Sequence, residues 1–171
     1  MLAKDQLPAF VLADLFSNSL VYTGENLKKT LIDNTLPKQE KIYLGNYERK
    51  IIVLVNDSQN MYVGDEEMEF LTGILNACKL NFAHIALINF NNNPVDFNQL
   101  RKKMQAEYLL MFGMNTLQVQ LPFTMPDYQV QQYDNCKIVT APSLNDLNKK
   151  TPVAKTEKTK LWKSLQNIFS L

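Results

Sequence analysis

Chemistry in this sequence, if any, belongs to two short polar clusters. Asn56-Asp57-Ser58 closes the apolar run KIIVLV, and Ala141-Pro142-Ser143 closes the run CKIVT. If both runs are central strands, Asn56, Asp57, Pro142 and Ser143 meet at one rim and frame a pocket, with Asp57 as its one ionisable candidate for acid or base work. The same residue types also build turns and caps by accepting backbone N–H bonds. The turn-and-cap reading is the favoured one.

Other reactive residue types point away from catalysis. His84, the single histidine, falls within the apolar run FAHIALINF, which favours a structural imidazole over a base or a metal ligand. Cys78 and Cys136 lie in apolar runs without CxxC spacing, as buried free thiols of a reducing compartment do. No zinc signature, G-x-G-x-x-G, P-loop or G-x-S-x-G occurs. Neither a metal nor a cofactor is expected. Lys149, Lys150, Lys155, Lys158, Lys160 and Lys163 meet one acid, Glu157, but Trp162 beside them falls in an apolar stripe. They read as a solvated helix face, so nucleic-acid contact is expected to be weak or indirect.

The scaffold that must hold these groups is centred on KIIVLVND. Five consecutive apolar residues, Ile51 to Val55, four of them β-branched, predict a strand buried on both faces. Asp65 is placed to cap a helix with Glu66 and Glu67 in its first turn, and Met68, Leu71, Ile74, Leu75 and Cys78 form one apolar stripe. Further strands are predicted at Phe82 to Phe90, Tyr108 to Phe112 and Cys136 to Thr140, with a helix near Asp96 to Gln105. Leu117, Val119 and Leu121 alternate as an edge strand or hairpin does, and Ile42-Tyr43-Leu44 hints at a short strand. Thr151-Pro152 opens the last helix, whose apolar face carries Leu161, Trp162, Leu165, Ile168 and Phe169. This alternation predicts the α/β class, as a three-layer α/β/α domain around a mainly parallel sheet.

A chain of 171 residues suits one domain, placed at 25–171, behind a segment at 1–24. With 18 basic and 17 acidic side chains, net charge gives no argument for whole-surface nucleic-acid binding. Near the N-terminus, Leu12, Leu15 and Phe16 fall at helical spacing, Leu20 and Tyr22 follow, and Gly24 is a stop. Two readings stand: a first helix packed on the domain, or a peptide that docks in a partner's groove. The run Phe10 to Ala13 is too short for a signal peptide, and no stretch is long enough for a membrane span. A cytoplasmic protein without membrane contact is expected.

The order of KIIVLVND, a helix containing GILNAC, a strand, IVTAPSLNDLNKK and a terminal helix with KLWKSLQNIF resembles the psi subunit of bacterial DNA polymerase III, an accessory of the clamp loader. The likeness spans roughly residues 50 to 169, and VND, APSLNDL and the Leu-Trp pair are its most specific parts.

The resemblance implies a uracil-DNA glycosylase-like fold without glycosylase activity. It also implies docking on the clamp-loader ATPase subunit through the N-terminal segment, with Leu12, Leu15, Phe16, Leu20 and Tyr22 as contacts, and a chi-like subunit as a further partner. Glycosylases of that fold end the first strand in a GQDPY-like loop and a later one in HPSP. Here Asn56-Asp57-Ser58-Gln59 lacks Asp-Pro-Tyr, and Ala141-Pro142-Ser143-Leu144 keeps Pro-Ser without the histidine. A vestigial pocket is the expectation, and a divergent enzyme or nucleic-acid binder using Asp57 and Ser143 is the alternative. Compared with the psi pattern, this chain has extra material at 25 to 49 and an asparagine-rich loop at 91 to 93, so no chi-binding residue is carried across.

Overall fold

Strand β1, Ile51–Val55, is buried at every residue and lies inside the sheet, as its unbroken apolar run requires. The computed structural model describes residues 41–171, so the segment carrying Leu12, Leu15, Phe16, Leu20 and Tyr22 lies outside the described residues. The other strands are β2, Ile85–Asn89, β3, Tyr108–Phe112, β4, Val130–Tyr133, and β5, Cys136–Ala141. They form one five-stranded sheet in the order β2-β1-β3-β5-β4. The pairs β1–β2, β1–β3 and β3–β5 are parallel, whereas β4 runs antiparallel to β5. The class is α/β and the sheet is mixed, where a mainly parallel one was expected.

The mixed character comes from a hairpin that the prolines at 122 and 126 obscure in the sequence. Asp134 and Asn135 join β4 to β5 with φ of 45° and 56°, the left-handed conformations of a two-residue hairpin turn, and Tyr133 pairs with Cys136. The edge strand expected from the alternation of Leu117, Val119 and Leu121 does not form. That stretch is a series of turns in which Val119 and Leu121 are buried and Leu117 is exposed. Ile42-Tyr43-Leu44 yields only a single bridge, Leu44 to Leu87.

The helices are α1, Asp65–Ala77, α2, Phe97–Lys102, α3, Leu144–Asn148, and α4, Pro152–Phe169. Gly64, not Asp65, is the N-cap of α1; Asp65, Glu66 and Glu67 all lie in its first turn, at the positive end of its dipole. Asp96 caps α2 by accepting the Gln99 N–H at 2.7 Å, and the helix stops at Lys102, short of the expected Gln105. Thr151 caps α4 by accepting the Ala154 N–H at 3.1 Å, with Pro152 at the first helical position.

Strand alternation sends side chains to both faces of the sheet. Ile51, Val53, Val55, Leu87, Leu110 and Val139 meet α1, α3 and α4 through Leu71, Leu75, Leu147, Leu161, Leu165 and Ile168. On the opposite face, Ile52, Leu54, Ile88, Leu109 and Ile138 meet α2 and its flanking loops through Val95, Phe97, Leu100 and Leu121. Two apolar layers thus fix the sheet, and with it the rim where the parallel strands end.

Candidate functional site

At the carboxyl ends of the parallel strands a cleft of about 290 Å³ opens, lined by Asn56, Asp57, Glu67, Phe112, Ser143 and Asn145 among others. Asn56, Asp57 and Ser143 are therefore brought together. Pro142 is not part of the lining; it is half-buried in the link between Ala141 and Ser143.

Asp57 is held by its own turn. One carboxylate oxygen, Oδ1, accepts the N–H groups of Gln59 at 2.8 Å and Asn60 at 3.1 Å, and Oδ2 accepts the Asn60 side-chain amide at 2.9 Å. Partial burial, the largest single influence, raises its pKa, but the donors from Asn60, Gln59 and Gly64 together outweigh it and hold the carboxyl below its ordinary 3.8. Such a carboxylate is a weak base and has no proton to give near neutral pH.

Ser143 is the N-cap of α3. Its Oγ accepts the Asp146 N–H at 3.1 Å and donates to Asp146 Oδ2 at 2.8 Å. Lys149 in turn holds Asp146 Oδ1 at 2.5 Å, and its ammonium, with the Ser143 hydroxyl, lowers the Asp146 pKa. A serine paired with so weak a base is positioned as a cap and not as an activated nucleophile.

Two residues that sequence reasoning passed over build this rim. Asn89, the last residue of β2, is fully buried and uses its whole amide. Its Oδ1 accepts the Asp57 N–H at 3.1 Å and the Asn91 N–H at 3.2 Å, while Nδ2 donates to the Asp57 carbonyl at 2.7 Å and the Asn60 carbonyl at 3.0 Å. Asn92 adds bonds from Nδ2 to the carbonyls of Asn60 and Met61. The other residue is Gly113, which follows β3 at φ 69°; a Cβ there would lie 3.0 Å from Ser143 Cβ. A side chain at that point would require Ser143 to give way by a few tenths of an ångström, in addition to adopting a left-handed φ.

His84 lies in the turn before β2, not inside the strand, and its Nδ1 accepts the Asn81 N–H at 3.2 Å. Cys78 and Cys136 are buried free thiols, pushed up by burial to about 11 and about 12. Among the described residues no group of three or more His, Cys, Asp or Glu is placed to hold a metal, and no helix is long and apolar enough to cross a membrane.

The fold and rim define an α/β domain whose polar strand ends serve as loop anchors and caps. No known family model matches the chain, and no curated protein matches it.

Proposed function

We propose that the chain is a non-catalytic interaction subunit, a replication accessory resembling the psi subunit of the DNA polymerase III clamp-loader complex. In this reading its domain has the glycosylase-like α/β/α fold, it acts in the cytoplasm, and it docks on the clamp-loader ATPase subunit through residues 1–24. One observation supports the non-catalytic part: Asp57 and Ser143, the two rim side chains that the strand ends bring together, are engaged in a turn and a cap, which leaves Glu67 as a further ionisable group in the cleft wall. The docking part rests on Leu12, Leu15, Phe16, Leu20 and Tyr22 as an apolar series before the domain. Titration calorimetry of the full chain against the ATPase subunit from the same source, beside a chain lacking residues 1–24, tests it. Saturable binding lost on truncation supports the reading; no binding by either chain removes it.

A second reading keeps the cleft as a binding or catalytic site for nucleic acid, and is favoured by the convergence of Asn56, Asp57 and Ser143 on one cavity. It requires an activity on uracil-containing or otherwise modified DNA that Asp57→Asn abolishes without unfolding the domain.

A further inference from the structure

The parallel strands have a second polar end. Opposite the rim, at their amino ends, a cavity of about 450 Å³ is lined by Lys50, Arg101, Glu107 and Lys137, with the amides of Gln105 and Gln132 beside them. The two ends of the sheet differ in sign. Asp57 and Glu67 line the rim cleft and no lysine or arginine does, whereas three cations and one carboxylate line the amino-end cavity. An anion is therefore repelled from the rim and drawn to the amino ends.

The fold sets each cation in place. Lys50 immediately precedes β1, and its carbonyl accepts the Glu107 N–H at 3.0 Å beside the start of β3. Lys137 is the second residue of β5 and is half-buried. Its Nζ lies 5.9 Å from the centre of the Tyr108 ring and donates to the Ile168 carbonyl at 3.3 Å, near the C-terminus of α4, where a helix favours a cation. Arg101 belongs to the last turn of α2, and the chain leaves that helix by bonds from the Gln105 N–H to the Arg101 carbonyl and from the Ala106 N–H to the Leu100 carbonyl.

These cations are held without being used up. Arg101 Nε donates to Asp134 Oδ2 at 3.2 Å and Nη1 to the Ala106 carbonyl at 2.6 Å, which fixes the guanidinium plane; Nη2 has no partner among the described residues. Lys137 is in no ion pair among the described residues. Lys50 is paired with Glu107 at 2.8 Å, but the two side chains are 45% and 52% exposed, and so exposed a pair is weak enough to yield to a stronger anion. An oriented guanidinium beside two ammonium groups matches the several oxygens and the multiple charge of phosphate. A lone carboxylate would leave most of these donors unused.

We infer that the cavity at the amino ends of β1, β3 and β5 binds a phosphate group through Lys50, Arg101 and Lys137, carried by a free nucleotide or by a nucleic-acid strand. The site lies at the opposite end of the sheet from Asp57 and Ser143 and uses no residue of 1–24. It therefore rests neither on the rim cleft nor on the clamp-loader reading.

The full chain is titrated in calorimetry with pyrophosphate and with a nucleoside diphosphate, and in fluorescence anisotropy with a short labelled single-stranded oligonucleotide. Saturable binding of at least one probe with a Kd below about 1 mM is expected. Binding of the two small phosphates assigns the group to a free ligand, and binding of the oligonucleotide alone assigns it to a strand; both outcomes support the site. Affinity then falls by roughly tenfold or more in Lys50→Gln/Lys137→Gln and by less than about twofold in Lys155→Gln/Lys163→Gln, which removes the same charge from exposed positions of α4. Glu107→Gln deletes the one carboxylate in the wall and tightens binding about threefold, a gain that an unfolded variant cannot produce. No binding of any probe overturns the inference. Equal losses in the two lysine pairs overturn it as well, since the attraction would then belong to the whole surface, and so does an affinity that Glu107→Gln leaves unchanged.

Discussion

Asn89 and Asp57 grip each other by a reciprocal pair of hydrogen bonds: the Asn89 carbonyl oxygen accepts the Asp57 N–H at 3.1 Å, and the Asn89 amide donates to the Asp57 carbonyl at 2.7 Å. A side chain at the end of β2 thereby acts as one more rung of ladder beside the end of β1. Its burial makes the pair costly to break, because the orphaned backbone groups stay in a dry site.

Asn89→Ala should therefore destabilise the domain by about 3 kcal/mol, the order expected when buried partners are left unsatisfied. Asn89→Asp gives a sharper test. Its carboxylate would face the carbonyls of Asp57 and Asn60, so burial and repulsion raise its folded pKa above the unfolded value. The variant then binds protons on folding and gains stability as pH falls from neutral. Urea titrations at pH 7 and pH 5 check this; a wild-type pH trend in the variant would contradict the geometry.

Asp57 itself predicts the opposite slope. Its folded pKa lies below 3.8, so the stability from its turn is complete above the unfolded carboxylate range and is lost as pH falls through the lowered value. Asp146 shifts in the same direction, through Lys149 and Ser143. Asp57→Asn should flatten the loss of stability below pH ~4. Thermal melts of wild type and variant between pH 3 and pH 7 show whether the two curves converge at the acid end, as required.

How far the sequence foretold this depends on what each residue's role needs. β1 was legible because Ile51 to Val55 is apolar without a break, and burial on both faces is the usual way to satisfy that pattern. The start of α4 was legible because Thr151-Pro152 is local chemistry. The β4–β5 hairpin was not, since Val130–Tyr133 is mostly exposed and its turn uses Asp134-Asn135 without a glycine. In the rim, Asp57 and Ser143 were visible as polar strand ends, but the partners that decide their roles were not. Asn89 lies 32 residues from Asp57, and a lone asparagine ending the apolar run FAHIALIN was its only signal. Gly113 gave none beyond closing a strand, because its meeting with Ser143 is a fact of packing.

Gly113→Ala should cost about 1–2 kcal/mol, from the left-handed φ together with the contact to Ser143. The new methyl pushes on the cap of α3, so the Asp146 amide should lose hydrogen-exchange protection more than the amides of β1. Equal loss at both places would mean general weakening and not local displacement.

Thr140 predicts a gain. Its hydroxyl is buried and has no hydrogen-bond partner among the described residues. Thr140→Val replaces that hydroxyl by a methyl of similar shape and should stabilise the domain by about 1 kcal/mol, since an unmade buried bond costs on that order. Chemical denaturation gives the sign directly, and a loss of stability would reveal a partner for the hydroxyl.

The functional readings separate in a pair of variants. If residues 1–24 dock in a partner groove, Phe16 is the largest of the anchors Leu12, Leu15 and Phe16, and its removal forfeits burial of a full aromatic side chain. Phe16→Ala should then weaken binding to the clamp-loader ATPase subunit by about 2 kcal/mol, roughly thirtyfold, in calorimetry. Asp57→Asn should leave that affinity unchanged, because the Asp57 carboxylate is engaged in its own turn. The reverse pattern, an intact affinity in Phe16→Ala with loss of a nucleic-acid activity in Asp57→Asn, would transfer the function to the rim cleft. The same carboxylate that anchors the loop would then have to leave its donors to act, and its turn would have to open for every turnover.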